Sequence, residues 1–235
     1  MRIREIYYTL QGESLFSGLP SILVRTAFCP IGCAWCDTPQ TEPPWILSAD
    51  EIITEIQKID CRLVTLTGGE PLLENDIHDL ERRLLDSGYR VLLETSGLYP
   101  IDGVAKETHI VMDVKCPGSG VTPPFLESNL TFLKPTDEVK FVIHSLEDAR
   151  FAFDCIKTYR FLSRTAVSFS ITHTATLSSF ELARWILLSH LPIRFQPPLH
   201  ATFWKNERQF HSVNLNRYPR HTENGSVDLP KPLVL

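Results

Sequence analysis

RTAFCPIGCAWCDT, residues 25–38, places Cys29, Cys33 and Cys36 within eight residues, and the next cysteine is Cys61. A structural zinc site closes with four protein ligands, whereas a reactive metal site keeps a position open. An iron–sulfur cubane held by three thiolates would leave one iron able to chelate a small molecule. A zinc knuckle completed by a distant histidine uses the same spacing and stands as the plainer alternative. A disulfide pair with a spare thiol fits less well. The opening residues MRIREIYYTLQGE are charged and lack the apolar core of a signal peptide, so the expected compartment is the cytoplasm.

Composition narrows the class. The chain has 235 residues, a formal charge of -5 and no apolar run long enough to span a bilayer, so membrane insertion is not expected. The acidic balance argues against sequence-independent nucleic-acid binding, which relies on clustered Lys and Arg. A small-molecule substrate is the expectation. Six cysteines are too sparse for a disulfide scaffold in a chain long enough to bury its own core.

Short apolar runs alternate with capped helical segments, the pattern of βα units. The runs are SILVRTAF, RLVTLT, YRVLLE, HIVMDVK, EVKFVI, AVSFSI and IRFQ, which read as parallel strands buried on both faces. Ser48 with Glu51 and Ser178 with Glu181 fit the capping box, Ser145 with Asp148 fits a weaker version, and Gly88 suits a left-handed helix end. One domain is expected over residues 1–204, followed by an irregular arm over 205–235.

Unusual residues follow the runs. The cysteines follow SILVRTAF, TGGEP (67–71) follows RLVTL, ETSG (94–97) follows RVLL, and DVKCPGSG (113–120) follows HIVM. In parallel barrels the C-terminal strand ends carry the chemistry, so these four motifs are expected around one mouth. Taken singly, Gly68 and Gly69 could form an ordinary turn, Glu94 a solvated loop carboxylate, and Lys115 a snorkelling strand end. Cys61, Cys116 and Cys155 read as core or loop thiols. Together, the glycines and Glu70 suggest backbone groups and a carboxylate beside an open space, suited to a ligand ammonium.

CPIGCAWC with TGGEP resembles the radical S-adenosylmethionine (SAM) superfamily, whose fold is a partial (βα)6-type TIM-like barrel of the α/β class. The resemblance implies a 4Fe-4S cluster on Cys29, Cys33 and Cys36 whose open iron chelates SAM, and reductive cleavage to a 5′-deoxyadenosyl radical. YTLQGES, GLPSILVR, CAWCDT, TGGEPLL, ETSG, DVKCPGSG and DEVKFVI further resemble the 7-carboxy-7-deazaguanine synthases of queuosine biosynthesis. These are carbon–nitrogen lyases that convert 6-carboxy-5,6,7,8-tetrahydropterin to 7-carboxy-7-deazaguanine with SAM and Mg2+.

That resemblance assigns roles residue by residue. Leu10, Gln11, Gly12, Glu13 and Thr67 would border the pterin, and Arg25 would grip its carboxylate through a bidentate fork. Thr38 would touch magnesium, which takes few protein ligands. Gly69, Glu70 and Lys115 would contact SAM, and Trp35, Cys36 and Asp37 would approach its adenosyl end, with Asp113, Val114 and Ser170 in addition. SITHTATLSS departs from the family's Ser-Pro-Val type turn, and the spacing of Gln196, His200 and Trp204 is stretched relative to its Gln-x-His pattern. An electron donor such as flavodoxin and a homodimer are the implied partners. A glycyl-radical enzyme activase, or a non-catalytic iron–sulfur or zinc protein, are the alternatives.

Overall fold

A computed structural model describes residues 1–36, 43–197, 199, 211–216, 218, 220–221 and 227–228. Seven strands run parallel in the order β2 (Pro20–Thr26), β4 (Leu63–Gly68), β5 (Arg90–Thr95), β6 (His109–Val114), β7 (Glu138–Ile143), β8 (Ala166–Ile171) and β9 (Ile193–Phe195). Each matches one of the apolar runs. The sheet stays open, which makes a partial barrel. α1 (Ala49–Ile56), α2 (Ile77–Asp86), α3 (Leu146–Tyr159) and α4 (Ser179–Ser189) cover its outer face. All three capping boxes form, at Ser48, Ser145 and Ser178, and Gly88 follows α2 at φ +79°.

The strands are not apolar on both faces, which corrects the sequence reading. Register pairs Arg25 with Thr67, Asp113 with Lys140 and Val142 with Ser170, so these residues share the inner face. Their neighbours Val24, Leu66, Leu93, Met112, Phe141 and Phe169 are buried on the outer face beneath the helices. Phe141 and Phe169 meet edge to face at 5.6 Å, and each such buried side chain contributes about 1.5–3 kcal/mol. The sheet is therefore a greasy outer surface around a polar lumen.

The sequence reading also missed β1 (Arg2–Leu10), whose polar residues hid its strand character. It pairs antiparallel with β2 and with β3 (Trp45–Ile46), and the turn over 11–19 joins it to β2. Beyond residue 204 an irregular arm was expected. Its described residues include β10 (His211–Ser212) paired with β1, β11 (Arg220–His221) with β3, and β12 (Val227–Asp228) with β11. Leu215 and Tyr218 are buried in the core, and Tyr218 Oη donates to Glu55 Oε1 at 2.6 Å.

The β5–β6 and β6–β7 crossovers contain no α-helix, only loops and 3-10 turns. Buried polar side chains hold the first of them in place of a helix. Glu81 on α2 accepts from Ala105 N at 3.0 Å and from the Thr108 hydroxyl. Asn129 donates to the carbonyls of Gly97 (3.0 Å) and Tyr99 (2.9 Å) and accepts from Ile101 N at 3.2 Å. Asn129→Ala would leave these backbone groups buried without partners. It is expected to cost about 1–3 kcal/mol, read as a lower denaturant midpoint with the slope unchanged.

Candidate active site

The cysteine loop is fixed at both ends by backbone contacts. Gly69 N donates to Thr26 O at 2.9 Å and Glu70 N to Phe28 O at 2.8 Å, which lays the Gly-Gly turn flush against the chain entering Cys29. A Cβ on Gly68 would stand 2.4 Å from Thr26 O, and one on Gly69 2.2 Å from Phe28 O. Gly68 also adopts φ +109°. On the far side Ala34 N donates to Ser119 O at 3.0 Å, and the Trp35 ring stacks on His144 at 5.2 Å and 13°. Gly118 gives Trp35 its seat, because a Cβ there would stand 3.0 Å from the ring.

Cys29, Cys33 and Cys36 are in no disulfide. Burial pushes the Cys29 and Cys33 thiols up, and the Lys115 ammonium partly opposes this at Cys33. A cation bound at the loop would reverse that preference toward thiolate. Among the described residues no three His, Cys, Asp or Glu side chains converge on one ion. Three thiols in one loop are the donor type that holds an iron–sulfur cluster. Asp37 and Thr38 lie outside the described residues, as do His200 and Trp204.

Beneath the loop the lumen is wired by side chains. Gln11 Nε2 donates to Thr65 Oγ1 and Glu94 Oε1, both at 3.1 Å, and Thr67 Oγ1 donates to Glu94 Oε2 at 2.6 Å. Across the lumen Lys140 Nζ donates to Glu13 Oε2 at 2.5 Å and lies 3.2 Å from Asp113 Oδ1. Lys115 Nζ donates to Asp113 Oδ2 at 3.1 Å, and Ser170 Oγ to Glu13 Oε1 at 3.1 Å. Arg25 Nη1 pairs with Glu5 Oε1 at 3.4 Å.

Charge states follow from this wiring. Burial would raise Asp113, but the Lys115 and Lys140 ammoniums outweigh it and hold the carboxyl below its usual value. Burial would lower Lys140, yet Asp113, Glu13 and Glu94 hold it well above the ordinary lysine range. Glu94 is pushed up by burial, against the pull of Lys140 and Thr67. Tyr7, buried beside Arg25, is pushed up to about 12 by burial.

The expected residues are mostly brought together, with changes of detail. Gln11, Glu13, Arg25, Thr67, Asp113, Lys115 and Ser170 share the lumen. Gly12 contributes backbone, accepting from Leu199 N at 3.1 Å, and Leu10 is half-exposed at the end of β1. The Glu70 carboxylate is not beside an open space, contrary to the sequence reading. It is fully buried and accepts from Thr95 Oγ1 and Ser96 N, both at 2.8 Å, from the Ser96 hydroxyl, and from Leu72 N at 3.2 Å. Val114 turns its side chain into the apolar core, leaving only backbone for a ligand. Ser170, expected on the cofactor side, donates to Glu13.

Glu138 and Lys140 were missed as site residues, and Glu94 was placed at the mouth within ETSG but given no role. Glu138 accepts from Leu15 N at 2.8 Å and from Ser168 Oγ. The missed signal was polar alternation within EVKFVI and AVSFSI, which places Glu138, Lys140, Ser168 and Ser170 on one face.

Residues 23–113 match the model of the Radical SAM superfamily. The chain is 39% identical over 222 residues to the 7-carboxy-7-deazaguanine synthase of Koribacter versatilis (strain Ellin345), covering 88% of this chain and 98% of that protein. It is 36% identical to the synthase of the same name from Chlorobaculum tepidum, covering 87% and 94% respectively. The crystal structure of QueE from Escherichia coli superposes with a TM-score of 0.68 at 23% identity, over 83% of this chain and 93% of that one. Streptococcus suis SuiB bound to S-adenosylmethionine gives a TM-score of 0.52 at 15% identity, over 73% and 45%. At these identities the two solved structures speak for the fold alone.

The close approach at Gly69 generates a prediction. Gly69→Ala is expected to displace the Phe28–Cys29 backbone and lower the iron bound per chain, with far-UV circular dichroism unchanged. Full iron content in the variant would show that the loop tolerates the displacement.

Proposed function

Because the chain belongs to the 7-carboxy-7-deazaguanine synthase family of radical SAM enzymes, we propose a division of its lumen into a substrate side and a cofactor side. The enzyme is a carbon–nitrogen lyase of queuosine biosynthesis that acts on a small molecule. It contracts 6-carboxy-5,6,7,8-tetrahydropterin to 7-carboxy-7-deazaguanine with loss of ammonia. The carrying observation is a loop of three non-disulfide thiols above a lumen lined by Gln11, Glu13, Arg25 and Thr67. Bound together, the 4Fe-4S cluster and SAM supply the hydrogen-abstracting chemistry.

The substrate side is Gln11, Glu13, Arg25 and Thr67, with Leu10 and Gly12 bordering it. A pterin presents N–H donors on its pyrimidine edge and a carboxylate at the other end. Glu13 and Gln11 offer acceptors for the first, and the Arg25 fork suits the second. Thr67 is held by Glu94 at 2.6 Å, which fixes its rotamer at the pterin rim. The cofactor side is Trp35, Cys36, Asp37, Lys115 and Asp113, with backbone from Gly69, Glu70 and Val114. Holding the substrate in a walled lumen restricts its geometry and keeps bulk water from a reactive carbon.

Magnesium is the finer part of the reading. The Thr38 hydroxyl would be its protein contact, since magnesium takes few protein ligands and needs no dedicated cage of side chains. When bound, the ion would orient the carboxylate and offset developing negative charge. A flavodoxin-type electron donor, a homodimer and a cytoplasmic location belong to the same reading. No helix among the described residues is long and apolar enough to cross a membrane.

The direct test uses anaerobically purified, cluster-reconstituted enzyme with reductant, SAM and the pterin. Equal amounts of 7-carboxy-7-deazaguanine and ammonia are expected, and intact pterin alongside a full cluster would refute the assignment. Arg25→Ala is expected to weaken pterin binding by about 1.5–3 kcal/mol, the range for a lost charged hydrogen bond, while substrate-free cleavage of SAM persists. Chelator treatment is expected to slow turnover and added Mg2+ to restore it. Thr38→Ala should raise the Mg2+ requirement with iron content unchanged, and full-rate turnover in chelator would remove the metal from the reading.

A further inference from the structure

We propose that Lys140 is a positioning residue that couples the two halves of the site, holding substrate-side Glu13 and cofactor-side Asp113 in one ion-paired unit. The inference rests on the division of the lumen made above. Lys140 projects from the middle of β7, and its side chain is 9% exposed. Its ammonium donates to Glu13 Oε2 at 2.5 Å and stands 3.2 Å from Asp113 Oδ1. Asp113 passes the contact on to Lys115 at 3.1 Å, and Lys115 acts electrostatically on the Cys33 thiol. A chain of alternating charge thus runs Glu13, Lys140, Asp113, Lys115, from the lumen turn to the cluster loop.

The charges around Lys140 explain why the position matters. Glu13 and Asp113 both contact its ammonium, and Glu94 acts on it electrostatically from further off. Without it, Glu13 and Asp113 would lose the one ammonium that both contact, and nothing would tie the two carboxylates to each other. A Glu13 held only by Ser170 at Oε1 would be free to turn its carboxylate away from the pterin edge. A released Asp113 would turn toward Lys115 alone and shift the lysine beside Cys33. Neither carboxylate can be positioned independently of the other while one ammonium serves both. Ser170 holds the second oxygen of Glu13, so Ser170 and Lys140 together fix the carboxylate plane.

The test is a pair of double-mutant cycles in the reconstituted enzyme. Lys140→Met is expected to raise the pterin KM at least tenfold and weaken SAM binding by equilibrium dialysis, with iron per chain and far-UV circular dichroism unchanged. Glu13→Gln/Lys140→Met should bind pterin no worse than Glu13→Gln alone, and Asp113→Asn/Lys140→Met should bind SAM no worse than Asp113→Asn alone. Such non-additivity is the signature of residues acting as one unit. Lys140→Arg, which retains the charge, should recover much of the pterin affinity.

Additive effects, or parent-like pterin and SAM binding in Lys140→Met, would overturn the proposal. Failure of both Lys140→Met and the milder Lys140→Gln to fold would make the lysine a structural counter-ion and overturn it too. If the parent enzyme left the pterin unchanged, the reaction assignment would fall, and the SAM-binding cycle would still decide the coupling.

Discussion

A barrel with a polar interior must satisfy that interior from within, because buried groups without partners cost more than the fold can spare. The turn over residues 11–19 meets this constraint. Gln11 serves β4 and β5, Glu13 serves β7 and β8, and Leu15 N satisfies Glu138. Ser14 exchanges two hydrogen bonds with Gln196 just beyond β9, at 3.0 and 2.6 Å. One turn thereby ties the first of the parallel strands, β2, to the last, β9, across the lumen. The residues that hold the fold closed are also those that would meet the substrate.

The cysteine loop depends on a second close approach. Gly68 and Gly69 are set by contact with the backbone of β2 and Phe28, and they leave no room for a side chain. The bland and functional readings of Gly-Gly-Glu therefore merge, since the tight turn is what aims the loop. Glu70 is a support of the same kind. Its buried carboxylate clamps the turn after β4 to Thr95 and Ser96 at the end of β5, tying two loops of the mouth to each other. On the opposite rim Asp148 caps α3 and accepts from Gly118 N at 2.8 Å, tying the seat of Trp35 to a helix terminus.

The sequence made the seven parallel strands, three capping boxes, the helix stop at Gly88 and the mouth-forming motifs legible, because each rests on local chemistry. It did not reveal the lumen. Lys140 sits inside EVKFVI and Ser168 inside AVSFSI, where the flanking Val and Phe residues carry the strand signal and the polar ones look incidental. Register converts those scattered residues into one face, and register is a long-range property. Glu70 failed for a related reason, since burial by Thr95 and Ser96 depends on the neighbouring strand. Cys116 and Cys155 read as core thiols and are buried.

A polar inner face beside an apolar outer one makes register the parameter on which both stability and chemistry turn. Sliding any strand by one residue would drive Lys140 or Asp113 under the helices and turn Phe141 or Met112 into the lumen. Two of the crossovers lack a helix that could enforce register by packing. Fixed polar contacts do it instead: Glu81 and Asn129 hold the chain entering β6, and Asp137, fully buried, accepts from Ile110 N at 3.0 Å and pins β6 against β7. Those are the strands that bring Asp113 beside Lys140. The polar side chains spent on loops far from the mouth thus set the distance between the charges within it.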